Sequence, residues 1–468
     1  MTVLEVIVEP RRKTPVLMNL DVVVIGGGPA GIGAAIASAR NGASTVLIEN
    51  FGSLGGMGTL GLMSVGPYHT GLTLAPGITG EIYSEMRKLG VAIDYQQRWP
   101  KGMTSNPLAH FSNWKGYHID VFDPEGFKIV VNEMMEKDGV NILLYTRFAD
   151  TIVDNGNIKT ILVENVSGRQ AIKGKVFIDA TGTGDVVARS GAPYLDARDT
   201  TGVPMPMSLM YRVSGVNFKK LLNYQKKDPE LAKLIDKAKS KGELPYYRTK
   251  KSVNQMNGHY DALYSGHPHL EMSPLIENGE LLCWGGPAPH EWGLNGTKVE
   301  DLTRAEMNIR KQIWAEFNFL KKHVPGFEKA FLSSVASYIR VREKRHPIGE
   351  YVLTFDDIKN GRKFDDVVLE VLPDPGIAIM NTKQPIVYFD IPYRCLLPKK
   401  VDNLLLAGDN TSTDHGAFLH TRGVQKCMAK GEVAGTAAAL SVKNQVKPKA
   451  LDYKVLRVQL VRQGILKS

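Results

Sequence analysis

The chain has 468 residues, 43% of them hydrophobic and 23% charged, which is enough to bury a large core and argues against a disordered protein. Its cysteines, Cys283, Cys395 and Cys427, lie far apart without a CxxC spacing, so neither a redox disulfide nor a zinc cluster is indicated, and a reducing, cytoplasmic setting is expected. Much of the net charge of +10 lies in lysines such as those of residues 218–242, where leucines at helical spacing indicate a solvated amphipathic helix and not a nucleic-acid site.

The first residues, MTVLEVIVEPRRKTPVL, lack the features of a secretory signal. Glu5 and Glu9 interrupt the apolar core that a signal requires, and the basic residues follow the apolar run instead of preceding it. No segment approaches the ~20 apolar residues that cross a bilayer. We therefore expect a soluble protein that does not bind a membrane.

A βαβ unit is predicted for residues 21–50, DVVVIGGGPAGIGAAIASARNGASTVLIEN. Residues 21–25 are a β-branched run typical of a strand, and residues 45–48 are typical of the next one. Residues 32–40 have helical character and end at Asn41-Gly42. The glycine-rich turn between the first strand and the helix predicts a pyrophosphate-binding loop.

Each residue type in this loop has a physical role. Gly26 allows the sharp turn, Gly28 lets backbone N–H groups approach a pyrophosphate at the helix N-terminus, and Gly31 lets helix and strand pack closely. Glu49 ends the second strand, where a carboxylate can accept hydrogen bonds from both ribose hydroxyls of an adenosine and disfavours a 2′-phosphate. The pattern predicts a dinucleotide site, and at this point NAD and FAD both remain open.

Three segments further along the chain favour FAD, and the third of them, residues 401–441, is described below. FGSLGGMGT, residues 51–59, is a second glycine-rich loop directly after Glu49, whereas a nicotinamide domain normally continues with further βα units. Residues 175–193, KVFIDATGTGDVVARSGAP, contain an apolar strand, 176–178, followed by Ala180-Thr181-Gly182.

The sequence of the middle of the chain indicates a second domain. Residues 207–211 alternate as a half-buried strand would, with Met207, Leu209 and Tyr211 on one face. Residues 301–322 predict a long amphipathic helix capped by Asp301 or Thr303.

For the basic run at 342–345, REKR, we favour salt bridges between domains over phosphate binding. GHPH, residues 266–269, offers two histidines without a third ligand, so no metal site is expected.

Near the C-terminus, residues 401–441 contain a buried strand, 404–406, followed by Gly408-Asp409. From Val424 a helix rich in small residues is predicted, which can pack tightly against a sheet. The tail, 452–468, predicts one more helix.

Taken together, these segments resemble the FAD oxidoreductases of the glutathione-reductase and fumarate-reductase type, in the superfamily of flavoproteins with two dinucleotide-binding domains. More narrowly, the chain is similar to the FAD-dependent oxidoreductase family from Asp21 to its end. It departs from the family at Thr183, where an aspartate is usual, and in the loop 409–423. The narrower resemblance also depends on DPEGFKIVVNEMMEKDGVNILLYT (123–146), VREKRHPIGEYVLTFDDIKNGRKFDDVV (341–368), IPYRCLLP (391–398) and VQKCMAKGEVAG.

The resemblance implies an α/β fold with a discontinuous, Rossmann-like FAD-binding domain and a second, α+β substrate or cap domain. The FAD-binding domain would comprise residues 18–60, 115–198 and 395–445. The second domain would comprise residues 61–114 and 199–394, and a C-terminal helix within 446–468 would pack on the FAD-binding domain.

The resemblance also assigns the cofactor-binding residues. Gly26, Gly28, Gly31 and Glu49 would hold the ADP half, and Gly55 and Gly56 would pass the pyrophosphate and ribityl chain. Thr181-Gly182 would flank the adenine-side turn, and Asp409 would hydrogen-bond to the ribityl or pyrophosphate region. The helix beginning near Gly423 would direct its N-terminus at the flavin ring. The complete predicted set is Gly26, Gly28, Pro29, Ala30, Gly31, Glu49, Asn50, Gly55, Gly56, Met57, Thr181, Gly182, Gly408, Asp409, Gly423 and Val424.

The predicted function is transfer of a hydride from a small polar CH–OH or CH–NH substrate to flavin N5, by a dehydrogenase or an oxidase. No second GxGxxG follows a strand, so the hydride comes from the substrate itself, or electrons are exchanged with a separate acceptor. Such chemistry needs a base, and the candidates are His415, His420 and His69. Arg422 is the candidate clamp for a substrate carboxylate or for the flavin C2 carbonyl. The alternatives are a reductase of an activated C=C bond (an enoate) and an RNA-acting flavoprotein. The expected partners are the small-molecule substrate and, if the protein forms a homo-oligomer, further copies of this chain.

Overall fold

The computed structural model describes residues 5, 7–70, 77–94, 117–197, 204–225, 237–238, 240–243, 272–276, 280–283, 289–371 and 388–467. The pair of histidines at 266–269 lies outside these residues. Among the helices within them, none combines the length and the apolar run that crossing a bilayer requires.

The strands within the described residues are, in chain order, β1 (Val16–Ile25), β2 (Thr45–Ile48), β3 (Val65–Thr70), β4 (Ala92–Asp94), β5 (Tyr117–Phe122), β6 (Asn141–Leu143), β7 (Arg147–Asp154), β8 (Asn157–Asn165), β9 (Gly168–Asp179), β10 (Tyr194–Asp196), β11 (Met207–Ser208), β12 (Tyr211–Ser214), β13 (Met272–Ile276), β14 (Glu280–Cys283), β15 (His290–Glu291), β16 (Phe331–Val335), β17 (Arg345–Pro347), β18 (Val367–Val371), β19 (Phe389–Pro392) and β20 (Leu404–Leu406).

The α-helices are α1 (Pro29–Arg40), α2 (Gly77–Lys88), α3 (Pro124–Lys137), α4 (Asp185–Ser190), α5 (Phe218–Gln225), α6 (Val299–His323), α7 (Phe355–Lys359), α8 (His415–Thr421), α9 (Val424–Lys443) and α10 (Tyr453–Arg462). Short 3₁₀ turns lie at Gly56–Gly58, Tyr393–Leu396, Gly408–Asn410 and Pro448–Ala450.

The largest sheet has the strand order β6-β2-β1-β9-β8-β7, and β20 pairs with the end of β9. β1 is parallel to β2 and to β9, while β7 and β8 turn back antiparallel. The apolar run Val22–Ile25 is buried, as expected for a central strand that is covered on both faces. The predicted strands 45–48 and 404–406 are confirmed, and the strand predicted at 21–25 begins earlier, at Val16.

The small-residue helix α9 packs on α1, and not only on the sheet as the sequence suggested. A Cβ on Gly431 would overlap the carbonyl oxygen of Ala30, and one on Gly435 would overlap that of Ala34. The hydroxyl of Ser38 donates to Gly435 O across the same contact, at 3.1 Å. The small residues therefore allow two helix backbones to touch, which holds the start of α9 beside the start of α1.

A second hydrophobic cluster lies apart from the large sheet, around β12 and α6. It includes Met207, Tyr211, Ile309 and Phe317. The prediction of one half-buried strand over residues 207–211 was wrong. The segment is split into β11 and β12, and Ser208 is as buried as its neighbours, because both faces are covered.

The long helix predicted at 301–322 is confirmed as α6, but its predicted cap is wrong. The N-cap residue is Lys298, which makes no side-chain cap bond, and Asp301 accepts a hydrogen bond from Asn295 N instead. The C-terminal helix α10 buries Leu456 and Leu460 in the cluster that contains α1 and α9. The domain boundaries stay a prediction.

Glu432 on α9 is a buried carboxylate that holds the first turn of α2. It accepts a hydrogen bond from Ile78 N at 2.8 Å, and Gly77 leaves room for it. Burial raises the pKa of Glu432 to about 7, Arg40 acts to lower it, and Glu81 acts to raise it. The neutral form therefore favours the fold: its contribution to stability is complete below the ordinary pKa of 4.5 and is lost as the pH rises through about 7.

We expect Glu432→Gln to remove this pH dependence. The free energy of unfolding of the variant, relative to the unmodified protein, should rise by about 3 kcal/mol between pH 4.5 and pH 8. Urea denaturation at both pH values measures it, and Glu136→Gln, an exposed substitution on α3, is the control. An equal difference at both pH values would contradict the assignment.

Candidate dinucleotide-binding cleft

The glycine turn after β1 is built as the sequence predicted. Gly26 has a φ of 105°, which favours glycine, and a Cβ on it would lie 2.5 Å from Ala180 O. A Cβ on Gly31 would overlap the carbonyl oxygen of Gly26. Gly28 differs, because a Cβ there would meet no atom within 4 Å. Two of these glycines thus let the loop pack, and the third leaves open space at the N-terminus of α1.

Glu49 follows β2 and lies at the wall of the same open space. Only 8% of its surface is exposed, and its carboxylate accepts hydrogen bonds from Gly27 N at 2.6 Å and Phe51 N at 2.9 Å. Burial raises the pKa of Glu49, and these backbone bonds act against the shift. The two N–H donors fix the carboxylate beside the glycine loop, where it can still accept from a ligand hydroxyl.

The second glycine-rich loop lies directly against the first. Gly55 N donates to Gly27 O at 2.8 Å, and a Cβ on Gly56 would approach Gly28 Cα to 3.1 Å. Gly55 has a φ of 103°, so this close approach requires glycine. Together the two loops form one continuous backbone surface along the cleft.

Asp179, at the end of β9, organises the third wall. Its carboxylate accepts from Thr181 Oγ1 at 2.7 Å, from Val187 N at 3.0 Å and from Asn410 Nδ2 at 2.8 Å. Burial raises the pKa of Asp179 to about 6. This residue ties the Ala180-Thr181-Gly182 turn to the turn after β20, and the sequence reasoning did not single it out.

The start of α9 closes the far end. Gly408 has a φ of 67°, and a Cβ on it would lie 2.6 Å from that of Ala30. Asp409 accepts a hydrogen bond from Cys427 Sγ at 3.0 Å. Gly423 precedes the first residue of α9 with a φ of 124°. The N-termini of α1 and α9 are therefore brought to the same cleft.

The cleft has a volume of about 910 Å³. Three residues of the predicted set, Gly31, Gly55 and Gly408, support its walls through the contacts above. The others line it directly, namely Gly26, Gly28, Pro29, Ala30, Glu49, Asn50, Gly56, Met57, Thr181, Gly182, Asp409, Gly423 and Val424.

Comparisons with known proteins identify the family. A model of the family described as FAD dependent oxidoreductase matches residues 21–460. The chain belongs to this family. Its cofactor is therefore FAD, and the α/β fold with a Rossmann-like FAD-binding unit, predicted from the sequence, is confirmed.

Solved structures share little sequence with this FAD-dependent oxidoreductase. A geranylgeranyl bacteriochlorophyll reductase-like protein of Thermoplasma acidophilum is 13% identical, with a TM-score of 0.45, over 95% of this chain and 84% of its own. A p-nitrophenol 4-monooxygenase of Pseudomonas putida is 12% identical, with a TM-score of 0.44, over 96% and 90%. No protein of curated function matches the sequence.

The residues present fit FAD. Gly28 leaves an open cradle that a Cβ would fill, directly at the N-terminus of α1, where a pyrophosphate is bound by backbone N–H groups. Glu49 would hold the adenosine ribose. Gly423 and Val424 at the start of α9 would lie at the flavin end, where the positive end of the helix dipole favours a reduced ring.

The four predicted catalytic residues do not all lie in the cleft. Arg422 lines the cleft, while the side chains of His415 and His420 do not. His415 Nδ1 lies 2.5 Å from Glu343 Oε1. The buried ring of His420 stacks on Phe355 with centroids 5.7 Å apart. His69 lies on β3, and its side chain is outside what the structure describes. All four roles stay predictions.

The basic run 342–345 was only partly understood from the sequence. Arg345 makes the expected salt bridge, to Asp185 at 2.8 Å. However, Arg342, Lys344 and Arg345 also line the cleft, which the preference for salt bridges alone did not anticipate. The cluster of basic residues at 342–345 was visible in the sequence, but the sequence did not show that it faces the cleft.

Proposed function

We propose that the protein is an FAD-dependent dehydrogenase or oxidase that removes a hydride from the CH–OH or CH–NH carbon of a small polar substrate. FAD, when bound, supplies the hydride acceptor. The heteroatom of the substrate must lose a proton in the same reaction, so a base within reach is required. The observation that carries the proposal is the hydrogen bond between His415 and the buried carboxylate of Glu343.

His415 is oriented as a base requires. Burial acts to raise the pKa of Glu343, but hydrogen bonds from His346 and His415 outweigh it and hold the pKa at about 2. A carboxylate only accepts, so Nδ1 of His415 carries the hydrogen and Nε2 is the atom that can receive a proton. Among the described residues Nε2 has no hydrogen-bond partner, and 24% of the side chain is exposed.

Glu343 connects His415 to the cleft. Arg342 and Lys344, the residues on either side of Glu343 in the chain, line the cleft. The second carboxylate oxygen of Glu343 accepts a hydrogen bond from Met205 N at 3.2 Å. Nη1 of Arg422 lies 3.4 Å from the sulfur of Met205. These contacts support a substrate site in which His415 accepts the proton and the guanidinium of Arg422 binds an anionic group of the substrate.

Anaerobic reduction of the bound flavin tests the proposal. The FAD-loaded protein should be mixed without oxygen with a panel of 2-hydroxy acids, sugars and amines, with dithionite as the positive control. Bleaching of the flavin by at least one compound class is the expected result. Reduction by dithionite with no bleaching by any member of the panel would count against the proposal.

A second candidate is a reductase of an activated C=C bond. The position of Arg422 in the cleft, next to Gly423, favours it, since a guanidinium can polarise the carboxylate of an enoate. Protein reduced with dithionite should then be reoxidised by an enoate in the absence of oxygen. Reoxidation by oxygen but by no enoate would argue against this candidate.

A further inference from the structure

A positive segment outside the βαβ unit forms one wall of the cleft. We call residues 340–345 the strap. Its residues Arg340, Arg342, Lys344 and Arg345 all line the cleft. FAD carries two negative charges on its pyrophosphate, and the N-terminus of α1 offers only about half a positive charge. A cation on the strap could supply most of the remainder.

Three of these cations are engaged: Arg340 takes part in an interaction of its own, and Arg345 and Arg342 bind protein groups at the walls of the cleft. Nη1 of Arg345 donates to Thr183 O at 2.7 Å and to the carboxylate of Asp185. Nη1 of Arg342, a buried residue, donates to Pro206 O at 2.6 Å. Both therefore hold the strap against the walls of the cleft.

Lys344 is different. Its ammonium donates to Gly182 O at 2.8 Å, and no described carboxylate lies within 4.0 Å of it. Burial lowers the pKa of Lys344, while the charges of Asp409 and Asp185 act to raise it. A cation held by a carbonyl alone has donors to spare, since an ammonium has three.

Contacts of the backbone place this ammonium near the first glycine loop. It donates to the carbonyl of Gly182, the last residue of the Ala180-Thr181-Gly182 turn. A Cβ on Gly26 would lie 2.5 Å from Ala180 O and 3.0 Å from Thr181 Cα, so this turn packs directly against the glycine loop that precedes α1. The pyrophosphate is expected at that loop.

The backbone of the strap is fixed at Lys344 itself and directly after it. Ala197 N donates to Lys344 O at 2.8 Å, and β17 pairs with β10 from Asp196↔Arg345 onward. The lysine stem thus begins at a fixed backbone, and its hydrogen bond to Gly182 O restrains the ammonium.

We propose that Lys344 neutralises the pyrophosphate of FAD, as a point charge brought to the cleft by the strap. This role adds a cofactor-binding residue to the glycine loops and depends on the cofactor alone, whatever the substrate. A lysine is suited to it because its compact charge binds phosphate without demanding a bidentate geometry.

Binding to the apoprotein tests the proposal with FAD, ADP and adenosine as probes, measured by flavin fluorescence and calorimetry. For Lys344→Met we expect the affinity for FAD and for ADP to fall roughly 10- to 100-fold, because a charge-assisted bond is lost, while adenosine binds as before. Lys344→Arg keeps the charge and should recover most of the affinity. Lys344→Gln is the second neutral variant if the methionine variant does not fold.

Lys449→Met is the matched control, since it removes a lysine that pairs with Glu350 on the surface, away from the cleft. It should bind all three probes normally. The proposal is overturned if neutral variants at position 344 bind ADP as well as the control does. It is equally overturned if they lose adenosine and ADP to the same extent, because the effect would then not depend on the phosphates.

Discussion

Gly28→Ala is expected to give a folded protein that no longer retains FAD. An added Cβ would meet no protein atom within 4 Å, and the φ of −72° with a ψ of −176° is extended backbone that alanine adopts. The methyl group would instead fill the space where backbone N–H groups reach the pyrophosphate. Losing two such charge-assisted bonds, at about 1.5 to 3 kcal/mol each, lowers the FAD affinity roughly 100-fold or more.

Titration of the apoprotein with FAD, together with its thermal unfolding, measures both halves of this prediction. Gly58→Ala is the matched control, because a Cβ at Gly58 would make only ordinary van der Waals contacts, 3.6 Å from the ring of Phe122 and 3.9 Å from Val424 Cγ1. The control should stay yellow. If Gly28→Ala binds FAD with unchanged affinity, the cofactor does not pass over this glycine loop.

His415→Ala is expected to slow the reduction of the flavin by substrate about 10²- to 10⁴-fold, the usual contribution of a general base, with FAD content unchanged. In the proposed reaction the side chain accepts the substrate proton, and its hydrogen bond to Glu343 would fix its tautomer. Anaerobic stopped-flow with the substrate found in the panel measures the rate. Added imidazole should restore part of it, which a structural role for His415 would not predict.

His323→Ala is the control for this experiment, since His323 ends α6 and its ring packs on Phe319. It should reduce the flavin at the unmodified rate. An unchanged rate in His415→Ala would exclude His415 as the base. The base would then have to be a residue other than His415.

Local patterns predicted the βαβ unit because its signals lie within a few residues of each other. The alternation of apolar strand, glycines and helix in residues 21–50 is a property of neighbouring positions, and β2 was placed to the residue. β20 was found for the same reason, as three apolar residues before Gly408. The family resemblance then supplied the cofactor that spacing alone left open between NAD and FAD.

Contacts between distant parts of the chain could not be predicted in this way. His415 and Glu343 are 72 residues apart, and Ser38 and Gly435 are 397 apart, so no local spacing reveals either pair. The strand predicted at 207–211 failed for a related reason. Alternation indicates one buried face, whereas the packing of α6 and the neighbouring strands covers both.

Binding of FAD is the central claim, and reconstitution measures it directly. Purified protein should be stripped of any flavin, mixed with FAD, FMN or riboflavin, freed of excess and examined by absorption. We expect a yellow protein with one FAD per chain, and much weaker retention of FMN and riboflavin, which lack the adenosine that Glu49 would hold. A protein that stays colourless after reconstitution with FAD would contradict the account.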